Sequence, residues 1–310
     1  AAFYAYGYMT GVDPEMVAIA ENFFPKYMHA KVKWKLFPSG PAALAALDSG
    51  SLQFMTEIGN PPVVSAIAQG VPLQVIWAQE RNTTSEGLAV KQGSGIQTLK
   101  DLKGKTVALV LGSSSSFEFD TALKAAGVSP SSVHILNMSP PSIVAAWNTG
   151  QIQAAYTWDP FFTSLVQNHG KALMYDQTIS NNAPVFALSV VNSKWASTHQ
   201  SLVDGFIEAQ EAGVSFYEKH KTQAIADMAK EAGISTAAAK QELAGNEIDT
   251  PSMQLSQDAL GVGSAVSTSL VTKSLNSAAQ YLYASNTIQE IPSNLADYVN
   301  PTYVQDVASH

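Results

Sequence analysis

The run Lys105-Thr106-Val107-Ala108-Leu109-Val110-Leu111-Gly112-Ser113-Ser114-Ser115-Ser116 decides the fold class. Its first seven residues form a near-continuous apolar strand of the kind buried on both faces. The glycine and serines that follow turn the chain directly into a helix reaching about Gly127. Alternation of this kind is the mark of an α/β fold with mostly parallel strands. Downstream, residues 133–137 read as the next strand. Ser139-Pro140-Pro141 then opens a helix that closes at Gly150, and 153–157 leads into Trp158-Asp159-Pro160. Upstream, residues 3–9 read as a strand, followed by a helix from about Pro14 that Pro25 should end or kink. Strands also fall at 32–37, 52–55, 73–79, 87–91 and 186–191. Between them lie a helix with Ser39 as N-cap and Gly50 as its stop, and one capped by Asn60, with Pro61 first and Gly70 past its end. The polar stretch Gln92-Gly93-Ser94-Gly95 reads as a crossing between two lobes.

From Thr198 onward the pattern is helical only. Segments 200–218, 221–230, 236–244 and about 256–284 carry apolar residues near the helical period. Gly261 and Gly263 weaken the continuity of the last of these. A chain of 310 residues has the length of about two domains.

At 46% hydrophobic and 14% charged, the composition belongs to a globular protein and excludes a disordered one. No apolar run reaches the roughly 18 residues of a membrane span. The first residues already read as a strand, so a signal peptide is expected to be absent from this chain. Cysteine is absent too, which excludes thiol catalysis, disulfides and cysteine-ligated metals. A net charge of −8 argues against nucleic acid as partner. Arg81 is the only arginine, so an anionic ligand would be held by backbone dipoles and hydroxyls. The six histidines form no HExxH pattern, there is no G-x-S-x-G elbow, and no metal-ligand spacing stands out. No catalytic residue, cofactor or metal site is therefore assigned, and the chain is not read as an enzyme.

Ligands of open α/β sheets bind beyond the carboxyl ends of the strands, where helix starts offer free amides. Three loops fit: Phe37-Pro38-Ser39-Gly40, Glu57-Ile58-Gly59-Asn60 and Gly112-Ser113-Ser114-Ser115-Ser116. The serine run lacks the Gly-Lys-Ser/Thr ending of a P-loop, which argues against nucleotide phosphate. Pro61 and Pro62 lack N–H groups, so the second loop offers mainly the Gly59 and Asn60 amides or the Asn60 side chain. Trp158 is placed to cover an alkyl chain. Asp159 either accepts from an ammonium group or caps the helix that Pro160 begins. Tyr8 and Thr10 leave the first strand at a similar position, Ser85 and Glu86 sit near a lobe crossing, and Phe186 begins the returning strand.

Taken in order, several stretches resemble the taurine-binding proteins of bacterial ABC importers, within the wider sulfonate- and nitrate-binding family. They are Tyr8-Met9-Thr10-Gly11-Val12-Asp13-Pro14, Phe37-Pro38-Ser39-Gly40, Thr84-Ser85-Glu86-Gly87-Leu88, Leu99-Lys100-Asp101-Leu102-Lys103-Gly104-Lys105 and Pro140-Pro141-Ser142-Ile143-Val144-Ala145-Ala146-Trp147. Ala154-Ala155-Tyr156-Thr157-Trp158 and Asn182-Ala183-Pro184 continue the series. The resemblance implies a two-lobed periplasmic-binding-protein-like fold of type II, with two crossover strands and a helical C-terminal part. Residues 1–88 with 190–310 would form lobe 1, and 89–189 lobe 2. It implies a monomer in the periplasm, free or lipid-tethered, that closes on its ligand about 85–91 and 186–191 and delivers it to a membrane permease. The ligand-binding set it implies is Tyr8, Thr10, Ser39, Gly40, Gly59, Asn60, Ser85, Glu86, Ser114, Ser115, Ser116, Trp158, Asp159 and Phe186. In this set the sulfonate would lie on Ser39, Gly40, Asn60 and the Ser114–Ser116 hydroxyls.

The chain departs from that pattern. Taurine binders read Gly-Ser-Ser-Pro where this chain has Gly59-Asn60-Pro61-Pro62. They carry an aspartate at the place of Ala187 and alanine at the place of Asp159. The expectation is that the carboxylate has moved across the cleft and still meets an amine, although relatives that bind plain alkanesulfonates also read Trp-Asp-Pro. Another small zwitterionic, cationic or anionic solute is the alternative cargo. The other alternative is an enzyme resembling the pyrimidine-precursor synthases on this fold; those use histidine and cysteine chemistry, and this chain has no cysteine.

Overall fold

A computed structural model describes residues 6–8, 12–178 and 184–309. The chain begins with β1 (Tyr6–Tyr8), α1 (Pro14–Ala20), α2 (Phe23–Met28), β2 (Trp34–Leu36) and α3 (Gly40–Ser49). It continues through β3 (Phe54–Ile58), α4 (Asn60–Ala68) and β4 (Leu73–Asn82). A second unit follows: β5 (Glu86–Lys91), β6 (Thr106–Leu109), α5 (Ser114–Ala125), β7 (His134–Asn137), α6 (Pro140–Asn148), β8 (Ala154–Trp158), α7 (Phe161–Gln167) and β9 (Gly170–Tyr175). The chain returns as β10 (Phe186–Asn192) and α8 (Ser193–Ala196). It then runs through α9 (Gln200–Lys219), α10 (Lys221–Ala232), α11 (Thr236–Leu243), β11 (Asn246–Ile248), α12 (Pro251–Gln254), α13 (Leu270–Ala284) and α14 (Thr302–Ala308).

These strands build two sheets, six-stranded in the order β11-β4-β10-β3-β1-β2 and five-stranded in the order β7-β6-β8-β5-β9. The fold is the expected two-lobed α/β architecture. Sheet membership changes once between Asn82 and Glu86 and again between Tyr175 and Phe186. Strands 86–91 and 186–192 thus lie wholly inside their sheets, and the chain passes between lobes just ahead of each. The amides of Thr83, Thr84 and Ser85 all donate to the Gly245 carbonyl at 2.9–3.1 Å, which ties the first passage to the turn before β11. Gln177 N donates to Thr83 O at 2.9 Å, so the two passages run side by side.

Several local expectations need correction. Gln92–Gly95 is not a crossing but a turn inside the second lobe, with Gln92 N bonded to His169 O. The helix break after α1 falls at Asn22, which is left-handed (φ 58), and Pro25 sits in the first turn of α2, where a missing N–H costs nothing. Gly59, not Asn60, is the N-cap of α4, and Asn60 is its first helical residue. The C-terminal part is not purely helical, since β11 pairs antiparallel with the end of β4; three residues are too few for a period to register. Left-handed Gly261 and Gly263 (φ 74 and 59) break the 256–284 segment, and the helix starts at Leu270.

Each lobe closes over its own core. In lobe 1 the Phe54 ring on β3 stacks on Phe206 of α9 at 4.4 Å. In lobe 2 the sheet is covered on both faces: Leu88 and Tyr156 pack with Phe119 and Leu123 of α5, while Ala89 and Ala155 pack with Trp147 and Phe162. Helix α9 approaches α2 so closely that a Cβ on Gly205 would lie 2.6 Å from Tyr27 O and 2.7 Å from Met28 Cα. Backbone cannot retreat as a side-chain tip can. Gly205→Ala should therefore destabilise the protein by about 1–3 kcal/mol despite alanine's better helix propensity. A thermal melt checks this, and an unchanged or raised Tm would mean that α9 is free to shift.

Candidate functional site

A cavity of about 60 Å³ lies between the lobes. At roughly 10–15 Å³ per water-sized site it holds a compact solute of a few heavy atoms. Three helix starts reach it: Gly40 opens α3, Gly59 caps α4, and Ser113 and Ser114 open α5 from the opposite lobe. The first-turn amides of a helix have no partner within it, so these ends present N–H groups and positive dipole ends. A Cβ on Gly59 would fall 3.3 Å from Ser114 Cβ, which shows that the two lobes touch here.

The remaining wall mixes apolar residues, Val12, Pro62, Trp158, Val185, Phe186 and Ala187, with acids. Glu57, Glu80, Glu86, Asp159 and Glu242 line the cavity, and among the described residues no lysine, arginine or histidine does. Arg81, the chain's single arginine, is turned away: Nε and Nη2 donate to Asp249 Oδ1 at 3.1 and 2.5 Å, and Nη2 also donates to Asp258 O at 2.7 Å. Burial pushes the Glu57 carboxyl up to about 8. Glu80 is pushed well above the carboxylate range by burial and then by the charges of Glu57, Asp249, Glu15 and Glu242. Glu242 rises to about 8 through burial and the charge of Asp159. Asp159 rises to about 6, mainly through burial, with its bonds to Thr163 opposing the shift. Glu57 also sits at φ 59, a left-handed conformation costly for a residue with a Cβ, at the carboxyl end of β3. Its Oε1 and Glu80 Oε2 are buried without a hydrogen-bond partner. Carboxylate oxygens of Asp13, Glu57 and Glu80 lie within 4.8 Å of one another, so a positive group can meet all three.

Of the residues proposed from sequence, Gly40, Gly59, Ser85, Glu86, Ser114, Trp158, Asp159 and Phe186 line this cavity. Tyr8 ends β1, and Thr10 lies outside the described residues. Ser39, Asn60, Ser115 and Ser116 are buried beside the cavity without lining it. Asn60 holds the returning passage instead, with Nδ2 donating to Pro184 O and Oδ1 accepting from Phe186 N, both at 3.2 Å. The serine hydroxyls are committed to protein partners. Ser114 Oγ donates to Glu86 Oε2 at 2.8 Å, Ser115 Oγ donates to the same oxygen at 2.6 Å, and Ser116 Oγ bonds the Tyr281 hydroxyl. Asp159 stands just ahead of Pro160, the N-cap of α7, and still reaches its first turn: Oδ1 accepts from Thr163 N at 2.8 Å and Thr163 Oγ1 at 2.7 Å. It lines the cavity as well. Glu57, Glu80 and Glu242 were not among the residues picked from sequence. Glu57 had a local signal, standing two residues before Gly59 in a loop already singled out. Glu80 and Glu242 had none, because they meet only through the pairing of β4 with β11.

Two α/β lobes around a small cleft cavity are the architecture of the solute-binding proteins of ABC importers, the class to which this chain's relatives point. Residues 14–224 match the NMT1/THI5-like family, and the chain belongs to it. It is 31% identical over 305 residues to a taurine-binding periplasmic protein of Escherichia coli strain K12, covering 96% of this chain and 91% of that one. It is 29% identical over 222 residues to a putative aliphatic sulfonates-binding protein of Bacillus subtilis strain 168, covering 70% and 66%. Among solved structures it resembles the alkanesulfonate-binding protein of Xanthomonas axonopodis pv. citri bound to MOPS, with TM-score 0.79, 23% identity and 97% and 99% coverage. No helix among the described residues is long and apolar enough to cross a membrane.

The raised carboxyls set a pH dependence. Each binds its proton more tightly folded than unfolded, so its contribution is complete below the unfolded value near 4.5. That contribution is lost as pH climbs toward about 8, the folded value of Glu57 and Glu242. The ligand-free protein should therefore melt at a higher temperature near pH 5 than near pH 8, with up to about 1 kcal/mol per pH unit from each such group. Scanning calorimetry across that window tests the sign, and Glu57→Gln should flatten the slope. A Tm that instead falls on acidification would mean that these carboxylates are compensated.

Proposed function

We propose that this protein captures a small zwitterion of the aminosulfonate type, with taurine as the reference compound, and delivers it to the membrane permease of an ABC importer. The observation that carries this reading is the polarity of the cavity. Helix starts from both lobes and carboxylates without any basic partner line it together. A sulfonate needs no protein cation if aligned amides neutralise it. An ammonium group placed among Glu57, Glu80 and Glu242 supplies the counter-charge these groups lack, while Trp158 covers the short alkyl chain. The taurine- and aliphatic-sulfonate-binding relatives support the acid end of this ligand. The acids of the wall support the amine end. The protein then works outside the cytoplasm and closes about the passage 83–85 and the one ahead of Phe186, which divide it into its two lobes.

A second reading has one observation in its favour. Ser114 and Ser115 already give their hydroxyls to Glu86, leaving fewer donors for an acid group. On that reading the ligand is a small amine without the sulfonate.

Titration calorimetry with taurine, an unaminated alkanesulfonate of equal length and a simple alkylamine separates these readings. Taurine should bind most tightly, and Glu80→Gln should erase about 1.5–3 kcal/mol of its advantage over the alkanesulfonate, roughly ten- to hundredfold in Kd. Near pH 7, taurine binding should also release protons, because an ammonium neighbour favours the ionised carboxylates. Equal affinity for taurine and the alkanesulfonate, or proton uptake with taurine, would remove the amine from the ligand. Tighter binding of the alkylamine would remove the sulfonate.

A further inference from the structure

A second acidic cluster lies behind the cleft wall, inside lobe 2. Glu86 on β5, Glu118 on α5 and Asp176 just after β9 bring one carboxylate oxygen each within 4.8 Å of one another. Their placement follows from the register. Glu86 pairs with Trp158 and Leu88 with Tyr156, so Glu86 and Tyr156 project to the same face of the sheet. That face is the one α5 covers, through Phe119 against Tyr156 at 5.9 Å, and Glu118 precedes Phe119 on the same helix.

All three carboxylates and Tyr156 are 0% exposed. Among the described residues none of the three forms an ion pair. Glu86 accepts from neutral donors only: the Ser114 and Ser115 hydroxyls and Asn82 Nδ2 at 3.2 Å. Glu118 has no partner at either oxygen, and Asp176 Oδ2 has none. The Tyr156 hydroxyl is buried and without a partner as well, within electrostatic reach of Glu118, Glu86 and Asp176. Glu118, Asp176 and Tyr156 therefore each keep a buried oxygen without a hydrogen-bond partner, and the Glu118 and Asp176 carboxylates lie beside that of Glu86. Burying uncompensated carboxylates costs several kcal/mol each.

We propose that this point is a cation site, in which Glu86, Glu118 and Asp176, with the Tyr156 hydroxyl, hold a hard divalent ion, calcium in preference to magnesium. The ligands are all oxygen, which selects hard cations. Calcium accepts irregular, all-protein oxygen cages, whereas magnesium demands near-octahedral geometry and keeps several of its waters, which a fully buried cluster does not favour. The three ligands come from β5, α5 and the end of β9, separated by 32 and 58 residues (118 − 86 and 176 − 118), so no local spacing betrays them. The ion would lie one side chain behind the cleft, because Glu86 also lines the cavity. The site stands on its own geometry, whatever solute the cleft takes.

The test is elemental analysis of the purified full-length chain, followed by thermal melts in EDTA, calcium chloride or magnesium chloride. Calcium should be retained near one equivalent, or should raise Tm with the logarithm of its free concentration, magnesium acting more weakly. Glu118→Gln should weaken calcium binding on the order of a hundredfold or more. Asp176→Asn should do the same and serves if the first variant does not fold, folding being checked by circular dichroism. Wild-type protein with no bound metal and no Tm response to millimolar calcium overturns the site. Undiminished calcium binding in the folded variants overturns it too. A Glu118→Gln protein more stable than wild type, with neither responding to metal, would mean that protons fill this point.

Discussion

The structure is organised around one electrostatic constraint: carboxylates are taken out of water at the junction of two lobes and given no basic side chain in return. The single arginine is spent on Asp249, and the lysines stay off the cavity wall. Burial of a carboxylate is tolerated only when something else supplies positive charge or a proton. Here the protein offers helix ends and hydroxyls, and both are partial. Glu86 shows how far they go, since its carboxylate lies at the start of α5 under two serine hydroxyls, where a helix dipole favours an anion. Glu57, Glu80 and Glu242 have no such arrangement, and their protons are held tightly instead.

This constraint bears on how the lobes meet. The starts of α4 and α5 touch through Gly59 and Ser114, so the positive ends of two helices from different lobes are brought together. Such an approach is repulsive unless negative charge lies between or beside the ends. Glu86 provides part of that charge, and an acid group in the cavity would provide more. The passage between lobes is pinned at Gly245, whose carbonyl accepts three successive amides. A lobe rotation must therefore turn about a hydrogen-bonded cluster rather than a loose linker, which favours two defined arrangements over a continuum.

The α/β class and the order of elements were legible in the sequence because they rest on local pattern. The apolar run before Gly112, the glycines that end helices and the prolines that open them each act within a few residues, and left-handed Gly50, Gly70 and Gly150 stand where helix stops were expected. What local pattern did not contain was partnership across the chain. Ser114 and Ser115 look like free anion donors until β5 brings Glu86 beneath them. Asn60 looks like a cap until the returning strand takes both ends of its amide. Asp159 carried two readings, and the fold bonds it to the first turn of α7 while leaving it on the cavity wall. The cavity acids Glu80 and Glu242 lie 162 residues apart (242 − 80) and have no motif in common, so only the folded chain assembles them.

A cavity that holds several acids and several amide donors, with no full positive charge, discriminates by completeness. A plain anion satisfies the helix ends and leaves the carboxylates uncompensated. A plain cation does the reverse. On the proposed reading, a solute with both charges pairs the amides and the acids together, and every unpaired buried group counts against its competitors. On the same reading the pairing of Arg81 with Asp249 away from the cavity matters, because an internal guanidinium would neutralise the carboxylates permanently and remove the need for a cationic group on the ligand.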